Sequence, residues 1–229
     1  MRTSFSTARL VGVLFILASA TAIVGGSLLL PVQQPDFLNT GGGQAQLVTG
    51  AVLELALAAS VITIAALLLP VLRRTNEPLA VLYLATRALE AMLIVAGAIS
   101  ALVMTSLVGT HATTATGDLV LSSREWAYRI GTLVVFGAGA VMLNALLVRG
   151  RQAPSWLAWW GLIGGGLLLV RGVIETYGVE LVGAAQVVLA APIGIQEMVF
   201  AVWLIVKGFT KVVPRCGETG TRSIRNQEA

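Results

Sequence analysis

Residues 79–107 read LAVLYLATRALEAMLIVAGAISALVMTSL, an apolar run broken by only two charges, Arg87 and Glu90. At ~1.5 Å per residue, a helix of this length exceeds the ~30 Å hydrocarbon core of a bilayer. A buried strand would be far shorter, and period alone does not ask for such length in a soluble core. The run therefore predicts a transmembrane helix. Five further runs accompany it, over residues 10–30, 47–69, 126–148, 156–174 and 181–206. Together they predict an all-α polytopic membrane protein, a six-transmembrane-helix bundle in one domain over residues 1–213. The polar remainder, 214–229, reads as a disordered cytoplasmic tail.

Composition agrees, because 56% of the 229 residues are hydrophobic and only 11% are charged, against about 25% in ordinary soluble domains. The mean hydropathy is +0.87. The first run continues well past Ala18-Ser19-Ala20 and outlasts the ~7–15 residue core of a signal peptide, so it is read as an uncleaved helix. Breaks between runs carry turn residues: Pro31, Pro35 and Gly41 to Gly43, then Pro70 and Arg73-Arg74 to Pro78. The third loop is expected over residues 109–124, the fourth over 150–154, and the fifth around Tyr177-Gly178.

Basic residues set the expected orientation. With both termini inside, Arg2, Arg9, Arg73, Arg74, Arg149, Arg151, Lys207, Lys211, Arg215, Arg222 and Arg225 fall in the cytoplasm. Only Arg124, Arg129 and Arg171 then lie toward the outer side, so the positive-inside rule predicts N-in and C-in, in a cell inner (plasma) membrane. The pI of 9.8 is thereby explained without nucleic acid, for which the basic residues lack a shared soluble face with interleaved aromatics. Trp126, Trp156, Trp159 and Trp160 near run ends suit interfacial belts.

Charges inside the spans are the informative residues, since each costs ~2.5–3.5 kcal/mol at the centre of a membrane helix. Tyr83, Arg87 and Glu90 share one helical face at spacings of four and three. Arg171 and Glu175 have the i, i+4 spacing near the outer end of the fifth run, level with Arg129 at the start of the fourth, and the three form an expected outer polar cluster. Glu54 and Glu197 have no basic neighbour on their own helices, and Pro192 precedes Glu197 by just over a turn, where a kink would free backbone carbonyls. Four carboxyls against Arg87, Arg129 and Arg171 leave one acid over, so Glu54 or Glu197 is expected to exchange a proton. Arg87 would hold an anionic group and Glu90 would orient it, which predicts a ligand pocket formed by Glu54, Tyr83, Arg87, Glu90 and Glu197.

Several chemistries are excluded. Cys216 is the single cysteine and His111 the single histidine, so neither a dithiol pair nor a bis-histidine haem is available. No HExxH pattern, phosphate-binding glycine loop or intramembrane lysine occurs, and the span serines have no intramembrane base. No catalytic residue, metal or cofactor is therefore expected. Gly161 and Gly165 form a GxxxG pattern that lets another helix approach, either within the chain or from a second subunit in a homo- or hetero-oligomer.

Ordered segments along the chain carry a family resemblance. They are Ala8-Arg9-Leu10-Val11-Gly12, Thr49-Gly50-Ala51-Val52-Leu53-Glu54-Leu55, Leu69-Pro70-Val71-Leu72 and Arg87-Ala88-Leu89-Glu90. Further on come Arg124-Glu125-Trp126-Ala127, Pro154-Ser155-Trp156-Leu157, Pro192-Ile193-Gly194-Ile195-Gln196-Glu197-Met198 and Val206-Lys207-Gly208-Phe209. In order and spacing the chain resembles a bacterial six-helix membrane family, domain of unknown function 4386. The resemblance implies that Glu54, Arg87, Glu90 and Glu197 hold positions typical of that family, and it implies no activity. The expected function is binding of a small polar or amphipathic ligand, or its proton-coupled transport; the competing class is a non-catalytic accessory or scaffold subunit of a membrane complex.

Overall fold

The computed structural model describes residues 2–33, 37, 43–108, 110, 113–179 and 181–209. His111, Cys216 and the tail expected over 214–229 lie outside the described residues. The described chain is all-helical: α1 (Arg2–Leu28), a 3-10 turn (Leu30–Gln33), α2 (Gln44–Leu72), α3 (Glu77–Leu107), α4 (Thr114–Gly150), α5 (Ser155–Thr176) and α6 (Ala184–Val206). All six long helices are apolar enough to cross a membrane, α1 over Ser6–Leu28.

Local chemistry fixes the helix ends. Asn76 caps α3 by accepting from the Leu79 amide at 2.9 Å, and Pro78 sits in the first turn, where its missing N–H costs nothing. Thr113 caps α4 through the Thr116 amide. Gly43 precedes α2 at φ 84°, a left-handed conformation that favours glycine. Hydroxyls within the helices return to the backbone. Ser60 donates to the Ala56 carbonyl, Thr86 to Leu82 and Ser100 to Ala96, at 2.8–2.9 Å, which removes the cost of a bare hydroxyl in an apolar setting.

One expectation is corrected. The stretch expected as loop over 109–124 is helical from Thr114, and α4 runs 37 residues instead of starting at Trp126. The reason is the Thr113 cap followed by a sequence, TATGDLVLSSREWAY, that is helix-competent but too polar to register as a span. Within α4, residues Arg129–Val135 form a π-helical segment before the α-helix resumes at Phe136.

Each helix packs on its chain neighbours, and α1 closes on α6, so the six form a ring. Closure needs a small residue: a Cβ on Gly12 would run into the Ala201 carbonyl and Ile205 of α6. The end that carries the chain termini is filled by Val11, Phe15, Leu68, Leu72, Tyr83, Leu147, Leu157, Phe200 and Leu204, with Phe15 edge-on to Phe200 at 5.8 Å. Gln152 ties two turns at that end together, donating to the Val71 carbonyl at 3.0 Å and to the Thr75 hydroxyl at 3.1 Å. The opposite half has only small apolar clusters, so the bundle is sealed at one end and hollow toward the other. Outward faces are apolar, with Val13, Leu17, Val81, Met92, Ile99, Ile163 and Val202 exposed, the inverse of a water-facing surface.

Candidate functional site

A cavity of about 790 Å³ occupies the hollow half. Every long helix contributes to its wall: Ala22 and Gly26 of α1, Glu54 of α2, Gly97 of α3, Arg124, Glu125, Tyr128, Arg129 and Thr132 of α4, Arg171 and Glu175 of α5, and Gln186 of α6. Its charges are ordered in pairs. Arg124 grips Glu54 with two parallel bonds, Nη2 to Oε1 at 2.6 Å and Nη1 to Oε2 at 3.0 Å, and Nη1 also donates to the Gly97 carbonyl at 2.6 Å. Arg171 donates from Nε to Glu175 at 2.7 Å and from Nη1 to the Gln186 carbonyl at 3.4 Å, joining α5 to α6. Arg129 pairs with Glu125 at 2.5 Å, reaches the Glu175 carbonyl at 3.3 Å, and lies over the Trp126 ring.

A second cluster lies deeper. Arg87 Nη1 donates to Glu90 at 2.6 Å, its Nη2 lies 3.8 Å from Glu197, and its Cζ is 5.0 Å from the Phe136 ring and 5.8 Å from the Tyr83 ring. The last two contacts provide cation–π stabilisation for a guanidinium that is 2% exposed. Arg87 Nε and the Tyr83 hydroxyl are buried with no hydrogen-bond partner among the described residues. Glu197 borders a smaller void of about 180 Å³, and this void shares Tyr128, Thr132 and Arg171 with the large cavity. Those three residues form the wall common to the two.

Among the residues singled out from the sequence, Tyr83, Arg87, Glu90 and Glu197 come together. Glu54 does not join them; it lines the large cavity with Arg129, Arg171 and Glu175 and is held by Arg124. Sequence reasoning placed Arg124 in an outer loop and gave no role to Glu125, Tyr128 or Thr132. The i, i+4 spacing of Glu125 and Arg129 is the available signal, and a span that begins at Trp126 leaves Glu125 outside it. Gly161 and Gly165 pack inside the chain against α4, where a Cβ would strike Asn144 and Ala140 respectively. Asn144 in turn is locked by its bond to the Ala140 carbonyl and by Gln196, which also donates to the Leu157 carbonyl. Among the described residues no group of three or more His, Cys, Asp or Glu is arranged to hold a metal ion.

Six apolar helices ringed around buried ion pairs define a protein of the multi-pass membrane class. Residues 10–208 match the family described as Domain of unknown function (DUF4386), and the chain belongs to that family. No curated protein and no solved structure matches it.

Proposed function

We propose that the chain is a membrane-embedded binding or transport protein for a small polar or amphipathic ligand, which it admits from the outer side. The observation that carries this reading is the 790 Å³ cavity, walled by all six helices and lined by the Arg124–Glu54, Arg171–Glu175 and Arg129–Glu125 pairs. Its volume lies within the ~300–1,000 Å³ range of small-molecule sites, with an apolar wall and few convergent polar groups. Ion pairs confined to packing would be expected in a filled interior, whereas these border open space.

Orientation follows from charge. Arg73, Arg74, Arg149, Arg151 and Lys207 cluster at the sealed end, while Arg124, Arg129 and Arg171 are each ion-paired in the cavity. The positive-inside rule then favours both termini in the cytoplasm of an inner (plasma) membrane, with the cavity on the far side. In this reading the deeper Arg87 cluster is the innermost station of the site.

The test is native mass spectrometry of the purified protein against Thr132→Phe, which adds bulk to the wall of both cavities without touching an ion pair. A discrete small-molecule or lipid mass on the wild type, lost in the variant, is the expected result. Bare protein mass for both would overturn the reading.

A further inference from the structure

Arg87 is half satisfied. Its Nη1 is bound to Glu90, but Nε has no partner among the described residues and Nη2 has only Glu197, at a 3.8 Å separation too long for a hydrogen bond. Nε and Nη2 lie on one edge of the guanidinium, and that edge is a fork that takes both oxygens of a carboxylate. The Tyr83 hydroxyl, fully buried under the same guanidinium, has Arg87 itself as its polar neighbour and makes no well-formed hydrogen bond to it. A buried charged donor left without an acceptor is costly, so an incompletely bonded fork at this depth points to an absent acceptor.

Arg87 lines neither cavity, and Glu197 stands between this fork and open space, so a ligand reaches the fork by displacing Glu197 from Nη2. The Glu197 side chain is 17% exposed against 3% for Arg87, and it borders the 180 Å³ void that shares Tyr128, Thr132 and Arg171 with the large cavity. The remaining wall of the void is apolar, formed by Leu133, Phe136, Leu168 and Ile193. At about 180 Å³ this space has room for a short hydrocarbon tail.

We propose that the inner cluster binds a short monocarboxylate anion together with one proton, the ligand's carboxylate taking the Nε/Nη2 fork of Arg87 and the proton going to Glu197. This deepens the binding function proposed above and rests on it. Charge counting supplies the coupling. Arg87 carries one positive charge and Glu90 and Glu197 one negative charge each, a sum of −1. A second anion alone would bring the dry cluster to −2, and each uncompensated ion there costs several kcal/mol. A proton taken up by Glu197 keeps the sum unchanged and frees Nη2, so one carboxylate replaces another on the guanidinium. The charged and titratable groups facing Glu197 are Tyr83, Arg87 and Glu90 of α3, Tyr128 of α4 and Arg171 of α5. On α1 the charged side chain that is described, Arg9, lies at the other end against the Ile205 carbonyl. Glu54 lies outside this cluster, gripped by Arg124 with two bonds.

The experiment is calorimetric titration of the full chain in nanodiscs with formate, propionate and butyrate, each in two buffers of different ionisation enthalpy. Expected are one proton taken up per propionate bound and an affinity that falls about tenfold per pH unit as pH rises. In Glu197→Gln, propionate should still bind, without proton uptake and without pH dependence. Arg87→Lys keeps the charge and removes the fork, and should weaken binding at least about tenfold; replacing sodium by choline should change nothing. The proposal is overturned by pH-independent binding to the wild type, by proton uptake that survives Glu197→Gln, by a sodium requirement, or by no binding of any of the three acids. A mass adduct that is sensitive to Thr132→Phe, alongside absent propionate binding, would leave the broader binding function standing and remove this one. Propionate binding indifferent to Arg87→Lys but lost in Arg124→Met would move the site to the outer cavity and equally overturn it.

Discussion

Arg124 and Glu54 lie 70 positions apart in the chain and meet in a bidentate pair whose side chains are 16% and 15% exposed. Breaking such a pair from one side strands a charge, whereas removing both partners does not. Arg124→Met is therefore expected to destabilise the protein by ~3 kcal/mol, and Arg124→Met with Glu54→Met to recover more than half of that. Denaturant unfolding of the four proteins in a double-mutant cycle measures it, and a double variant as weak as the single one would count against the pair. Gly161 is the other residue whose change has a definite sign. Its missing Cβ leaves room for the Asn144 amide, so Gly161→Ala should cost ~1–3 kcal/mol through overpacking, read as a lower melting temperature. An unchanged melting temperature would show that α4 and α5 separate at no cost. Arg87–Glu90 and Arg171–Glu175 were legible in the sequence because local spacing brings them together. The Arg124–Glu54 pair was not, since no local rule connects two helices.

At the scale of elements, the apolar runs located all six helices, because twenty or so apolar residues have few other fates. The first half of α4 escaped for the opposite reason: its Thr, Ser and Asp residues are exposed and its Arg124 and Glu125 line the cavity, so hydropathy reads the stretch as loop. The π-helical segment Arg129–Val135 had no sequence signal at all, although it sets how the two halves of α4 are turned. Removing one residue from it should rotate Thr114–Tyr128 by about 100° against Phe136–Gly150, given ~3.6 residues per turn. Deletion of Ile130 is thus expected to swing Arg124 away from Glu54 while leaving Asn144 against Gly161. Helicity by circular dichroism should hold, and both the melting temperature and the bound ligand mass should fall. A deletion variant that melts and binds like the wild type would mean that α4 is aimed by its packing on α3 and α5 alone.

Over the whole molecule, side-chain size and charge divide the bundle into a packed half and a hollow half. The packed half joins all six helices in one apolar cluster near the chain ends, and the basic side chains Arg73 and Arg74 lie at that end in the loop after α2. An access path can therefore open from the far end without dismantling the core, provided that the sealed end faces the cytoplasm. That condition has a direct test, because Cys216 is the single cysteine and follows the last helix. A membrane-impermeant maleimide added to intact cells is expected to leave Cys216 unlabelled and to label it fully once the membrane is permeabilised. Cys216→Ser with Thr113→Cys, a position exposed at the mouth of the hollow half, should give the reverse pattern. Labelling of Cys216 from outside would invert the protein, place the cavity on the cytoplasmic face and make cytoplasmic solutes its ligands.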